Sequence, residues 1–384
     1  VSFVESDERI ALRKAVSELG AKYGNEYFVA KAKAGEKTTE LWEEAGKLGY
    51  LGVAVPEEYG GGGGGIGDLA AVCEELAAAG CPLLLMVVSP AICATVIARF
   101  GTEEQKSKWL PGFADGTLKM AFAITEPDAG SNSHRLKTHV RRDGDEWILK
   151  GTKTFISGID EVDAVLVVAI QKTGPVLVVV PTNAEGFTWH QIEMDLVAPE
   201  KQFTLFFDDV RLPSDAVVGS PDQGLLQVFA GLNPERIMGA SMATGSARLA
   251  ISKAVTYARQ RQVWDNPIGS HQGLAHPLAK IHIEIELARL MTQKAAALYD
   301  SGRDKPVSEK EAGEAANMAK YAAGEAVAAA VDQAIQTHGG NGLTSEFGLA
   351  SMLGMSRLSR IAPVSREMVL NFVAQNSLKL PRSY

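Results

Sequence analysis

At 384 residues the chain is longer than a single hydrophobic core usually supports, so two or three packed units are expected, and 46% hydrophobic with 22% charged residues is ordinary globular composition. The 38 basic and 46 acidic side chains leave a net charge of -8, which ranks nucleic-acid binding low. Three scattered cysteines, Cys73, Cys81 and Cys93, form no C-x-x-C pair; they argue for a reducing compartment such as a bacterial cytoplasm and against a disulfide scaffold or a structural zinc site, and no metal is expected. No apolar run of about 18 residues and no signal-peptide pattern is seen, so no membrane span is expected.

From Ser6 to about Cys93 the apolar period is helical. Leu12, Ala15, Val16 and Leu19 follow a candidate cap at Ser6, and Leu69, Val72, Cys73 and Leu76 precede a stop at Gly80. Between them lie six glycines, Gly60 to Gly65. They formally contain G-x-G-x-x-G, but a dinucleotide fold needs a strand before and an acidic strand end after, and here helix runs into more helix. A flexible surface loop is the expectation. From about Lys119 the period alternates. Ala164 to Ile170 and Val176 to Val180 flank a turn at Lys172 to Pro175, and Phe203 to Phe207 forms a further strand, so the middle third reads as a β unit. The helical period returns after about Gln223, with Leu278, Ile281, Ile285 and Ala288 on one face and Val327, Val331, Ala334 and Ile335 on another. Helix, sheet, helix gives an α+β class, with units expected over 1–118, 119–222 and 223–384.

The chemistry concentrates in Met120 to Ser157. A short apolar strand ends in the Thr125 hydroxyl. A turn follows, Pro127 to Ser131, where Gly130 can take positive φ. A hairpin at Asp143-Gly144 then returns the chain to Phe155 and Ser157. Two strand ends, each with a hydroxyl beside an apolar or aromatic residue, suit a flat heteroaromatic ligand. The basic run His134, Arg135, Lys137, His139, Arg141 and Arg142 reads as a solvated face that could attract an anionic tail.

The runs AFAITEPDAGSN and KGTKTFISG resemble the flavin-contacting signature of the acyl-CoA dehydrogenases, and the correspondence continues in order to the last residues. The resemblance implies an N-terminal helical domain, a middle β-barrel domain and a C-terminal four-helix bundle, FAD as cofactor, an acyl-CoA substrate, a homotetramer, and an electron-transfer flavoprotein as electron acceptor. In such enzymes a carboxylate removes the α-proton of the thioester while the β-hydride goes to flavin N5, leaving a trans-2-enoyl-CoA. The base works best in an apolar, desolvated setting that raises its pKa.

Carried over residue by residue, Phe122, Ile124 and Thr125 line the isoalloxazine, with Phe155 and Ser157 on its other side and Ser131 near the CoA phosphates. Arg261, Trp264, His271 and Gln272 reach the cofactor from a neighbouring subunit, although Trp264-Asp265 departs from the family's R-x-x-F-G. Gln336, Gly339 and Gly340 let backbone approach FAD, and Ser365 is a further flavin contact. The common base segment, resembling I-Y-E-G, reads here Ile361-Ala362-Pro363-Val364, and proline cannot abstract a proton. A second family location, in enzymes of long-chain and branched-chain acyl-CoAs, matches Glu235, with Arg236 at the substrate end. The bland reading of the same residues is a helix start, with Asn233 as N-cap, Pro234 at N1 and Glu235 in the first turn. Glu367 is the rival base, four residues past the common place. Pro363 also leaves open a non-catalytic acyl-CoA-binding flavoprotein subunit of a hetero-oligomer; a flavin oxidase or monooxygenase rests on fold analogy alone.

Overall fold

The Ser6 side chain accepts the Arg9 N–H at 3.3 Å and opens the first helix, α1 (Asp7–Ala34), as its capping pattern predicts. The computed structural model describes residues 5–220, 223–302 and 309–382; of the expected unit limits, residues 1, 222 and 384 lie outside the described residues. After α1 come α2 (Thr39–Lys47), α3 (Ile66–Ala78), α4 (Leu84–Val88), α5 (Thr95–Phe100) and α6 (Glu103–Asp115). The link between α4 and α5, Ser89–Ala94, is π-helical and contains Pro90.

The glycine run is not a loose loop. Gly61 N–H donates to Pro56 O, Gly62 to Gly52 O, Gly63 to Val55 O and Gly64 to Val53 O. A Cβ at Gly61 would meet Val55 O at 2.1 Å. The expectation of flexibility is therefore corrected: four of the six bond back to residues 52–56, and at Gly61, Gly62 and Gly64 the backbone lies so close to Val53 or Val55 that a side chain would be crowded.

The middle sheet has seven strands, β1 (Met120–Ala123), β2 (His139–Asp143), β3 (Glu146–Ser157), β4 (Ala164–Gln171), β5 (Gly174–Pro181), β6 (Phe187–Ile192) and β7 (Gln202–Leu212). Its order is β1-β4-β2-β3-β7-β6, with β5 paired to β4, which makes a half-barrel. Alternation along β4 divides two cores. Val165, Val167 and Ala169 face one buried cluster shared with the long helices; Ala164, Leu166 and Val168 face a second, shared with Ile92 to Ile97 and α6.

The C-terminal helices are α7 (Gly224–Gln260), α8 (Gln272–Ser301), α9 (Glu309–His338), α10 (Leu353–Leu358) and α11 (Arg366–Phe372). Between α7 and α8 a short hairpin pairs β8 (Gln262–Val263) with β9 (Asn266–Pro267). Leu278, Ile281, Ile285 and Ala288 are all buried, as their spacing predicts. A buried ionic network ties this bundle to the N-terminal helices: Arg13, Arg248 and Arg289 all bond to the pair Glu74 and Glu75 or to one of its members.

Candidate active site

Strand β1 ends where β3 ends. The Thr154 N–H donates to Thr125 O at 2.9 Å, so the two hydroxyl-bearing strand ends lie side by side. What holds them is a buried pair that periodicity does not reveal. Lys153, fully buried, donates from Nζ to Ile124 O and to Glu126 Oε1, both at 2.9 Å. Glu126 in turn accepts the N–H groups of Lys137 and Thr138 at 2.6 and 2.9 Å. Burial alone would raise the Glu126 carboxyl, but the Lys137 N–H and the Lys153 ammonium outweigh it and hold it below the usual range. Burial pushes Lys153 down to about 8, opposed by Glu126.

Immediately beyond Lys153 the β3–β7 register shifts, and Phe155 takes φ 56°, a region that aromatic residues avoid. The result is a phenyl ring 57% exposed between the buried Thr154 and Ile156. Such strain persists where the surroundings impose it. Ser157, two residues on, shares hydrogen bonds with Gln202: its Oγ accepts from Nε2 at 2.9 Å and lies 3.2 Å from Oε1. Ser131 is exposed on the preceding turn.

Phe122 and Ile124 belong to the same buried cluster as Ile92, Cys93 and, from α7, Val228 and Leu232. Six residues after Val228 comes Pro234, which sits inside α7 and not at its start. The expected helix opening at Asn233 is therefore corrected. A proline removes the N–H that would bond to Ala230 O, and the Tyr299 hydroxyl takes that place at 3.1 Å, so packing against α8 carries the helix through. Asn233 is instead a buried acceptor for Arg236.

Glu235 follows. It is half-buried, so a path to it is open, yet burial pushes its carboxyl up to about 7, with Arg236 as the smaller, opposing influence. Among the described residues it has no hydrogen-bond or ion-pair partner. Its charge and burial together hold the Cys93 thiol well above the ordinary value, burial being the larger cause. Arg236 points away, 8% exposed, donating to Leu232 O, Asn317 Oδ1 and Asn233 Oδ1 at 3.0, 2.6 and 2.8 Å.

Pro363 approaches the same face of α7. A Cβ built on Gly239, four residues past Glu235, would lie 3.8 Å from Pro363 Cδ. The two alternative base positions thus converge on one spot from two elements, one with a carboxylate and one without. Lys320 of α9 donates to Val364 O and pins this turn from behind. Ser365 caps α11, accepting the Met368 N–H at 3.3 Å. Glu367 is exposed and paired with its neighbour Arg366 at 3.2 Å.

The remaining candidates lie elsewhere. Arg261 ends α7, roughly 40 Å along the helix from Glu235 at 1.5 Å per residue. The hairpin after it turns at Trp264 and Asp265, with φ 50° and 65°, and leaves Trp264 83% exposed, edge-on to His271 at 6.2 Å. Gln272 begins α8 beside it. Helix α9 ends at the same end of the bundle: Tyr257, one turn before Arg261, stacks on His338 at 4.2 Å and accepts a bond from Asn341 at 3.0 Å. Gln336, Gly339 and Gly340 are exposed there, and nothing lies within 4 Å of where a Cβ on either glycine would project. Phe122, Ile124, Thr125, Phe155, Ser157 and Glu235 form one group; Arg261, Trp264, His271, Gln272, Gln336, Gly339 and Gly340 form another at the far end.

Three family models match in order: the acyl-CoA dehydrogenase N-terminal domain over residues 6–117, the middle domain over 121–210 and the C-terminal domain over 222–378. The chain is 64% identical to acyl-CoA dehydrogenase FadE12 of Mycobacterium tuberculosis, over 100% of this chain and 99% of that one. It is 31% identical to the mitochondrial long-chain specific acyl-CoA dehydrogenase of Rattus norvegicus, over 96% and 85%. Among solved structures, a glutaryl-coenzyme A dehydrogenase in complex with glutaryl-CoA superposes with TM-score 0.94 at 28% identity, over 100% and 98%.

Proposed function

The chain belongs to the acyl-CoA dehydrogenase family, and from that premise we propose that Glu235 is the base that removes the α-proton of an acyl-CoA thioester, yielding the trans-2-enoyl-CoA. The family is FAD-dependent, and acyl-CoA dehydrogenation is its activity. The strand ends fit the cofactor: an exposed aromatic held in a strained backbone, with hydroxyls at Thr125 and Ser157. When bound, FAD accepts the β-hydrogen with its electron pair at N5. Phe122, Ile124, Thr125, Phe155, Ser157 and Ser365 hold the ring, and Ser131 meets the CoA phosphates. Arg261, Trp264, His271, Gln272, Gln336, Gly339 and Gly340 serve the cofactor of a neighbouring subunit in a homotetramer. An electron-transfer flavoprotein takes the electrons onward.

One observation carries the assignment. Glu235 is a carboxylate without a partner, raised to about 7 by apolar surroundings, on the helix face that Pro363 also reaches. A base so tuned is deprotonated for half its molecules at neutral pH and still strong enough to take a weakly acidic proton. Arg236, bonded only to neutral oxygens, adds a positive charge behind the site without quenching the carboxylate in an ion pair. Replacing Glu235 by Gln should preserve folding and FAD content while abolishing exchange of the substrate α-proton with D2O. Undiminished exchange in that variant would remove Glu235 from the mechanism.

Pro363 favours one second reading, an acyl-CoA-binding flavoprotein subunit without catalysis. Anaerobic mixing with acyl-CoAs of varied length and branching separates the two, because bleaching of the flavin with any of them excludes the second.

A further inference from the structure

Where α3 packs on α1 and α7, guanidinium groups meet carboxylates: Arg13 and Arg248 each bond to both Glu74 and Glu75. Arg236, one residue past the base, does not. Its Nε donates to Leu232 O, its Nη1 to Asn317 Oδ1 and its Nη2 to Asn233 Oδ1. Every nitrogen of the group thus has an oxygen, and none of the three oxygens is charged. Asn317 reaches across from α9, and all three side chains are buried. A buried cation with only neutral acceptors is expensive to keep. An aspartate at either asparagine position has the same shape and would supply the missing counter-charge, so the amides leave a positive charge uncompensated beside Glu235.

We propose that Asn317 and Asn233 are positioning residues that set the strength of the base: they fix the Arg236 guanidinium through neutral oxygens alone, so that its charge stays available to Glu235. The inference rests on Glu235 as the base. Adjacent helical residues diverge around the axis, and with all three nitrogens bonded elsewhere the cation acts on Glu235 across space. That influence opposes the burial that pushes the carboxyl up to about 7. The other titratable groups packed around this part of α7 are engaged elsewhere. From the π-helical segment, Cys93 Sγ lies 3.5 Å from Ala121 O, and from α3, Cys73 Sγ lies 3.9 Å from Met238 O. Arg99 of α5 bonds to Tyr299 of α8, and Arg289 of α8 to Glu74. On α9, Lys320 donates to Val364 O and Glu325 pairs with Arg360. Neither α4 nor β5 carries a titratable side chain. The charge that acts on Glu235 is that of Arg236.

The test follows the ionisation of Glu235 in the FAD-loaded protein by two readouts. One is the pH dependence of substrate α-proton exchange with D2O. The other needs no turnover: the infrared band of the protonated carboxyl that Glu235→Gln removes. Asn317→Asp adds a charge without changing shape, and Asn233→Asp does the same from the other side should the first not fold, as FAD content reports. Each should move both titrations up by about one pH unit, the size of shift a nearby charge produces. Exchange should then fall about tenfold at pH 6 and stay within about twofold of the parent at pH 9. Arg236→Gln, which removes the cation, should raise the titration as well. Asn317→Leu, which changes packing and adds no charge, should not raise it. Folded aspartate variants that titrate with the parent, or an equal upward shift in Asn317→Leu, overturn the proposal. Failure of the base assignment has a different signature, since Glu235→Gln would then keep exchanging the α-proton while the infrared band still shifted in the aspartate variants.

Discussion

At the scale of single residues, the chemistry depends on where one negative charge is permitted. Glu235 and Glu200 are the two carboxyls that burial pushes up to about 7. Glu200 is enclosed, with Oε1 accepting the Leu84 N–H at 2.8 Å at the start of α4 and Oε2 buried, whereas Glu235 is half-buried and open to approach. If Glu235 is the base, kcat/KM should climb about tenfold per pH unit below 7 and level off above it, as a pH series of initial rates would show. Stability should move the other way. With a folded value of about 7 against 4.5 unfolded, Glu235 keeps its proton in the native state through that window while the unfolded chain gives its proton up. Its contribution is therefore intact below pH 4.5 and lost as pH rises to 7. Glu235→Gln should consequently gain about 1–3 kcal/mol at pH 8 and almost nothing at pH 4.5, measured by urea unfolding at both.

At the scale of elements, α7 matters most, because it carries Glu235, the proposed base, and leads at its far end into Arg261, a proposed cofactor contact. Its continuity across Pro234 rests on the Tyr299 hydroxyl, which also accepts from Arg99 Nη1 at 3.2 Å. Tyr299→Phe should cost about 1–3 kcal/mol in denaturant unfolding, the price of stranding a buried carbonyl. Lys153→Met should cost more, about 3–5 kcal/mol, because it leaves Glu126 buried between the two strand ends with no counter-charge beside its two backbone N–H bonds. These two contacts also mark where reading the chain from its residues stops. The strands, their turns and the apolar faces of α8 and α9 follow from period and local turn chemistry. Asn233-Pro234-Glu235 carries every local sign of a helix start, and only a hydroxyl from Tyr299, far along the chain, makes it a helix interior. Glu126 and Lys153 stand 27 residues apart with no period linking them. The glycine run looks mobile until the carbonyls of Gly52, Val53, Val55 and Pro56 are seen to hold four of its six residues. Glu235 itself was legible only through the family resemblance, since its burial is tertiary.

At the scale of the whole molecule, the candidate cofactor contacts fall into two groups at opposite ends of α7, the arrangement that the proposed sharing of each flavin between two subunits would use. Among the described residues no helix is long and apolar enough to cross a membrane. Exposed Ile283, Leu287 and Leu290, spaced four and three along α8, give the bundle an apolar face that a second copy would cover. If each flavin is held by two subunits, Arg261→Ala and Glu235→Gln should each be inactive alone. Co-expressed, they should regain a fraction of activity, because a subunit with intact Glu235 then receives Arg261 from its neighbour; strictly additive inactivity would show that each chain holds its flavin unaided. The most direct test of the whole account is the rate of anaerobic flavin reduction by an acyl-CoA, followed from pH 5.5 to 8.5 in the parent protein and in Glu235→Gln. The parent should show one ionisation near 7, and the variant should lose both that ionisation and the reduction; the same ionisation with comparable rates in both proteins would contradict it.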